Sequence, residues 1–191
     1  MRTKKHIRFV LFYALWIAGI IWALGSCSGT KKAVSDETIK ELKQQADSRS
    51  IKVRAEWAIP LTTTAMASVY NSGLLPPGSN VSRINLMQTP NSFEIRGDTI
   101  YADLPYYGER RIVSGYPGVS GIDFKAPMEN YKSEFLDKEG SYRINFDASF
   151  GTERFDIMVK LFPGQKAVLM FYSTQRNPIR YEGVAENPQS E

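Results

Sequence analysis

Ser141-Tyr142-Arg143-Ile144-Asn145-Phe146-Asp147-Ala148-Ser149-Phe150, then Gly151-Thr152, then Glu153-Arg154-Phe155-Asp156-Ile157-Met158-Val159-Lys160-Leu161-Phe162 is the stretch whose reading decides the fold. In the first run Tyr142, Ile144, Phe146 and Ala148 alternate with Arg143, Asn145, Asp147 and Ser149. In the second, Phe155, Ile157, Val159 and Leu161 oppose Arg154, Asp156, Met158 and Lys160. Successive side chains of an extended chain leave opposite faces, so a period of two means a strand with one buried and one wetted face. Gly151 supplies the turn that folds the second run back on the first.

The same grammar extends in both directions. Strands are expected over about 129–137, 166–174 and 178–184, with Gly140 and Pro163-Gly164 at two of the turns. Upstream, Ile51, Val53, Ala55, Trp57 and Ile59 are expected on one face of a strand that Pro60 ends. Ile84, Leu86, Phe93 and Ile95 alternate with polar residues, and Gly97-Asp98 has the length and composition of a hairpin turn into 99–104. A loop is expected from Pro105 to Gly121. Ala167-Val168-Leu169-Met170-Phe171-Tyr172 is apolar on both faces, which implies a central strand covered on both sides. The 26 residues 57–82 carry no charge, and they are the natural second cover for that strand or else a surface that meets a partner. Strands about every ten residues with no helices between them give a mainly β fold. The expectation is a single antiparallel β-sandwich or partly open β-barrel of about 8–10 strands. A signal segment and a short helix precede it: Ser35 reads as an N-cap, Asp36 and Glu37 occupy the first turn, and Ile39, Leu42 and Ala46 form one narrow stripe.

The charge balance first invites a nucleic-acid or anionic-membrane partner, because 24 basic and 20 acidic groups give +4 over 191 residues. Position removes that reading. Arg2, Lys4, Lys5 and Arg8 carry the whole excess, and no acid occurs before Asp36. Residues 27–191 are formally neutral, so no nucleic-acid partner is expected. Phe9 to Leu24 is a run of apolar residues broken only by Gly19, shorter than the ~20 residues a spanning helix needs. Basic, apolar, then small residues is the order of a secretory signal. Leu24-Gly25-Ser26-Cys27 resembles the bacterial lipobox, and that resemblance implies cleavage before Cys27 and acylation of it. The alternative is an uncleaved N-terminal anchor with the basic residues cytoplasmic. The organisation expected is therefore a lipoprotein signal peptide over 1–26, a polar tether and short helix over 27–50, a β domain over 51–185 and a flexible tail over 186–191.

The single His, His6, leaves with that signal, and Cys27 is the single thiol. A Ser-His-Asp triad, a Cys-His pair and a zinc site on His or several Cys are thereby excluded from the mature chain. No catalytic residue, metal or cofactor is expected. Three constellations remain. Tyr106, Tyr107, Arg110 and Arg111 gather beside a strand end, with Tyr116 further along the loop. Aromatic faces and guanidinium forks suit a stacked sugar or a bidentate anion, and they equally suit tyrosines capping the core and arginines paired with Glu109. Gly115 to Gly121 imitates a phosphate loop only in its glycines, since no Lys-Ser/Thr pair follows. Asp103, Asp123, Asp147, Glu153 and Asp156 are the carboxylates from which a glycan hydrolase would take its acid–base pair, but three of them alternate with core residues and belong to the wetted face.

Several strings occur in a recognisable order: Gly97-Asp98-Thr99-Ile100, Leu104-Pro105-Tyr106-Tyr107-Gly108, Gly121-Ile122-Asp123-Phe124, Asn130-Tyr131-Lys132, and Asn177-Pro178-Ile179-Arg180-Tyr181-Glu182-Gly183. Over about residues 50–185 the chain resembles the exported-protein family of unknown function numbered 4251, found mainly in the Bacteroidetes. The resemblance implies an exported, often lipid-anchored β-rich domain and no known activity. Surface-exported lipoproteins of that group carry acidic residues directly after the Cys, and Ser28-Gly29-Thr30-Lys31-Lys32 has none. The expected location is the cell envelope, on the outer membrane facing the periplasm; the alternative is a single-pass anchor in the inner membrane. Expected partners are the membrane, through the lipid anchor or the uncleaved helix, and then an envelope protein, a glycan or a small apolar ligand. The first reading is a non-catalytic binding or envelope-structural domain. The second is a carrier whose barrel interior is lined by Trp57, Phe146, Phe155, Leu169 and Phe171.

Overall fold

The computed structural model describes residues 35–111 and 121–186. Cys27, the lipobox residues Leu24, Gly25 and Ser26, Tyr116 and the tail beyond Glu186 lie outside the described residues. The first described element is α1, Asp36–Asp47, capped by Ser35, whose Oγ accepts from the Thr38 amide. Leu42 and Ala46 are its buried residues, as the stripe predicts. Among the described residues no helix is long and apolar enough to cross a membrane.

Ten strands follow: β1 Ser50–Pro60, β2 Ile84–Asn85, β3 Ser92–Arg96, β4 Thr99–Leu104, β5 Ile122–Pro127, β6 Glu129–Leu136, β7 Ser141–Phe150, β8 Glu153–Leu161, β9 Lys166–Ser173 and β10 Ile179–Glu186. They form one antiparallel sheet in the order β5-β4-β3-β1-β10-β9-β8-β7-β6, with β2 alongside β1. The sheet curls into a nearly closed barrel. Phe124 of β5, at one end of the path, stacks on Phe155 of β8 at 4.7 Å and on Phe150 of β7 at 5.7 Å. Helix α1 packs on β1, β6 and β7 at one end of the barrel, where Tyr131 donates to the Ala46 carbonyl at 2.7 Å.

The β7–β8 pair has the register its alternation predicts, Ile144 opposite Val159 and Phe146 opposite Ile157. The Gly97-Asp98 hairpin also forms, with Gly97 at φ +60° and Arg96 paired to Thr99. Strand β5 is missing from the sequence reading. It is six residues long and its Ile122, Phe124 and Ala126 face inward, but it emerges from a glycine-rich loop and ends at a proline, which hides its period.

Three expectations are corrected. Trp57 and Ile59 do not continue the inner face of β1. Ala55 pairs with Gly183 but Trp57 pairs with Glu182, so Glu56 is an extra residue and the phase flips: Ala58 and Pro60 turn inward. Gly183 permits this bulge, because a Cβ there would strike the Arg54 carbonyl. On the other side of β1, Asn91 acts as a short strand of its own, accepting from the Ala55 amide at 2.8 Å and donating to its carbonyl at 3.0 Å.

The second correction concerns β9. It is central in the sheet, but only Ala167, Leu169 and Phe171 are buried, while Val168 and Met170 are half-exposed and Tyr172 is exposed. The curled sheet buries one face in the barrel and leaves the other to solvent. Third, the uncharged 57–82 stretch is not the second cover. It contains a helix, α2, Thr64–Asn71, capped by Thr63 and burying Met66 alone.

Candidate functional site

The loop after β4 is built into the end of the barrel opposite α1. The Asn177 amide donates to the Glu109 carbonyl at 3.0 Å and the Arg111 amide to the Gln175 carbonyl at 2.7 Å, so residues 109–111 pair with 175–177. Tyr106 places its single phenolic proton between the carbonyls of Asn177, 2.9 Å away, and Glu109, 3.0 Å away. Burial pushes its pKa up, with the Arg176 charge opposing, so the phenol stays a neutral donor. Tyr107 is half-buried against the core, and burial raises its pKa too. Arg111 donates to the carbonyls of Ser173 at 2.6 Å and Arg176 at 2.9 Å. Tyr106 and Arg111 therefore spend their polar groups inside the fold; Arg110 bridges Arg176 through the backbone.

Beneath this loop lies a pair that sequence reasoning missed. Arg176 is 5% exposed and Glu153 9%. Arg176 meets both carboxylate oxygens, Nε at 2.8 Å and Nη2 at 3.1 Å, and its Nη1 donates to the Gly121 carbonyl at 2.6 Å. Ser173 Oγ completes the cluster against Glu153 while accepting from the amides of Gln175 and Arg176. The Arg176 guanidinium sits 5.2 Å from the Tyr106 ring. Bidentate geometry and a bond from each of the three guanidinium nitrogens make this a structural lock on the barrel end. No local pattern announces it, since the rest of β8, a turn and the whole of β9 lie between the partners.

The other carboxylates are distributed along the outer face. Asp103 and Asp123 face each other across β4 and β5, both exposed, and half-buried Asp147 faces exposed Asp156 across β7 and β8. Asp147 is bonded by Asn130 at 2.8 Å and Arg154 at 3.0 Å, and these, the Asn130 bond foremost, hold its pKa below the usual carboxylate value. A general acid needs the opposite shift. Among the described residues no three of His, Cys, Asp and Glu gather as a metal site.

The interior positions expected to line a carrier cavity pack on one another. Phe171 meets Phe93 at 5.8 Å, Tyr181 at 5.9 Å and Phe155 at 6.4 Å, all edge to face. Tyr181 is fully buried with its hydroxyl on the Pro105 carbonyl, and burial raises its pKa well above the ordinary phenol value. These rings contact one another inside the barrel, and Trp57 lies outside it beneath the Arg83 guanidinium at 4.2 Å.

The surface most available for recognition is the uncharged segment and its C-terminal flank. Leu74 is 78% exposed and Leu61 54%, Val69 and Tyr70 are exposed on α2, and Met87, beyond Arg83, is 54% exposed. The segment is nevertheless held in place. Met66 is buried, Leu75 and Val81 pack against the core, and Asn80 accepts from the amides of Ser82 and Arg83. Asn85 accepts from the Met87 amide at 3.0 Å and donates to the Pro77 carbonyl at 3.2 Å, fixing the turn that carries both exposed ends.

A family model described as "Domain of unknown function (DUF4251)" matches residues 33–185. Among solved structures, this chain is similar to a DUF4251 family protein from Bacteroides eggerthii, solved at 1.95 Å resolution. The TM-score is 0.51 at 10% identity, covering 78% of this chain and 87% of that one. At that identity the likeness is one of fold alone. No curated protein matches the sequence.

Proposed function

The chain belongs to the DUF4251 family, and from that premise we propose that it is a lipid-anchored protein of the cell envelope whose β domain binds a partner protein without catalysis. Leu24-Gly25-Ser26-Cys27 at the end of a basic-then-apolar segment supports the anchor, on the periplasmic side of the outer membrane. The observation that carries the binding reading is the set of exposed apolar side chains Leu61, Val69, Tyr70 and Leu74 in the uncharged 57–82 segment, with Met87 following just beyond Arg83. Scattered apolar side chains on a surface need no explanation, but these fall within one 27-residue segment held by asparagine-built turns.

The segment follows the end of β1 remote from α1. Strand β1 runs from Ser50, just after α1, to Pro60, just before Leu61 and α2. Its eleven residues span roughly 30–35 Å.

Mass spectrometry of the mature N-terminus is expected to find acylated Cys27, and Cys27→Ala is expected to release or mis-process the protein. An intact Met1 with membrane retention in Cys27→Ala would establish the single-pass inner-membrane anchor instead. For the partner, crosslinking in intact cells followed by purification is expected to yield a discrete protein that Leu74→Asp and Tyr70→Asp both lose. Identical crosslinked species in all three would refute the assignment of this surface.

A further inference from the structure

A cleft at the other end of the barrel is independent of the α2 surface. Helix α1, the β8–β9 turn and the adjoining ends of β1 and β10 enclose an open cleft of about 690 Å³. Ligand clefts run from roughly 300 to 1,000 Å³. Its floor is aliphatic, made by Leu42, Ile51 and Leu161, all buried core residues. Around that floor stand the amides of Gln44, Gln45 and Gln165, the last at φ +63° on the turn. Among the described residues none of these three amides has a side-chain partner in the protein. Phe162 and Pro163 add a partly exposed apolar wall.

The hydrogen-bonding capacity left over identifies the ligand class. An extended peptide would need free main-chain groups, and here they are spent. The Phe162 amide is on the Lys166 carbonyl at 2.8 Å, the Ala185 amide on the Gln165 carbonyl at 2.7 Å, and β1 is paired with β10. What remains are planar side-chain amides, each with two donors and an acceptor oxygen, around an apolar floor. Vicinal hydroxyls match such amides, and the C–H face of a pyranose matches an aliphatic floor with a ring beside it. The charged residues of the rim are mixed in sign, Glu41 and Glu186 against Lys166, so a charged ligand gains no net attraction. We propose that this cleft binds a short neutral oligosaccharide.

The test is isothermal titration of the full chain in detergent with cellotriose, maltotriose and tri-N-acetylchitotriose, with hexa-alanine as the peptide control. Saturable binding of at least one sugar is expected. Gln44→Ala and Gln45→Ala, which suit a helix, are each expected to weaken it roughly tenfold, the scale of one or two hydrogen bonds. Ser48→Trp, filling the cleft from its rim, should abolish it with an unchanged circular dichroism spectrum, and Leu74→Asp should leave it intact. Absence of binding by all three sugars in the folded wild-type chain would overturn the proposal. So would preference for the peptide, or sugar binding that survives Gln44→Ala, Gln45→Ala and Ser48→Trp. None of these outcomes bears on the partner surface at α2, which Leu74→Asp tests separately.

Discussion

Removing one member of the Glu153–Arg176 pair should cost far more than removing both. Glu153→Leu leaves a guanidinium inside the barrel end with only the Gly121 carbonyl and the Tyr106 ring for company. Arg176→Met leaves a buried carboxylate with Ser173 and removes the donor on Gly121. Breaking a buried pair typically costs about 3–5 kcal/mol, because the survivor has lost water without keeping its counterion. At roughly 2–4 °C per kcal/mol for a chain of this size, each single variant should melt about 6–20 °C lower. The double variant removes both charges and leaves one unsatisfied carbonyl, a residual of roughly 1–3 kcal/mol. Thermal and urea unfolding of the four chains, followed by circular dichroism, completes the cycle, and a coupling of several kcal/mol is expected. Single variants each costing under about 1 kcal/mol, or a double variant equal to their sum, would refute the lock. The first result would mean that water reaches the pair, the second that the partners act independently.

Gly183→Ala should destabilise by at least roughly 1–3 kcal/mol, since its Cβ meets the Arg54 carbonyl and the bulge in β1 must open; an unchanged melting temperature would contradict that packing. Asn91→Ala should orphan both main-chain groups of Ala55 and cost roughly 1–3 kcal/mol for each buried group, read as a fall in the urea midpoint; a shift below a tenth of that would mean that water replaces the side chain. Asp147 has a lowered folded pKa, so its contribution is complete above the ordinary carboxylate value of about 3.9 and is lost as pH falls through the lower folded value. Asp147→Asn should flatten that part of the acid limb by roughly a kcal/mol or less, because the half-buried group pairs with an exposed Arg154 on the sheet's wetted face; parallel acid limbs in the two chains would show that Asn130 and Arg154 contribute nothing there.

The sequence alone determined whatever depends on near neighbours. A period of two survives in any tertiary setting, so β7, β8 and the Gly97-Asp98 hairpin were legible from Tyr142-Arg143-Ile144 and its like. The Ser35 cap was legible for the same reason, as was the family, whose strings recur in order. Charge position was legible too: the basic excess sits wholly before residue 27. Tertiary structure decided what depends on residues far apart in the chain. The phase of β1 flips at Glu56 because Gly183, about 130 positions away, lets two backbones approach. The outer face of β9 stays wet because the sheet closes on itself, which no run of apolar residues can announce. Tyr106 and Arg111 look like a binding loop in sequence, and become a clasp because strands β8, β9 and β10 bring Glu153 and residues 173–177 beneath them. The amides of Gln44, Gln45 and Gln165 share one cleft only because α1 docks beside the β8–β9 turn. Local alternation writes itself into consecutive residues, whereas closure, bulges and clefts are set by pairings across the chain.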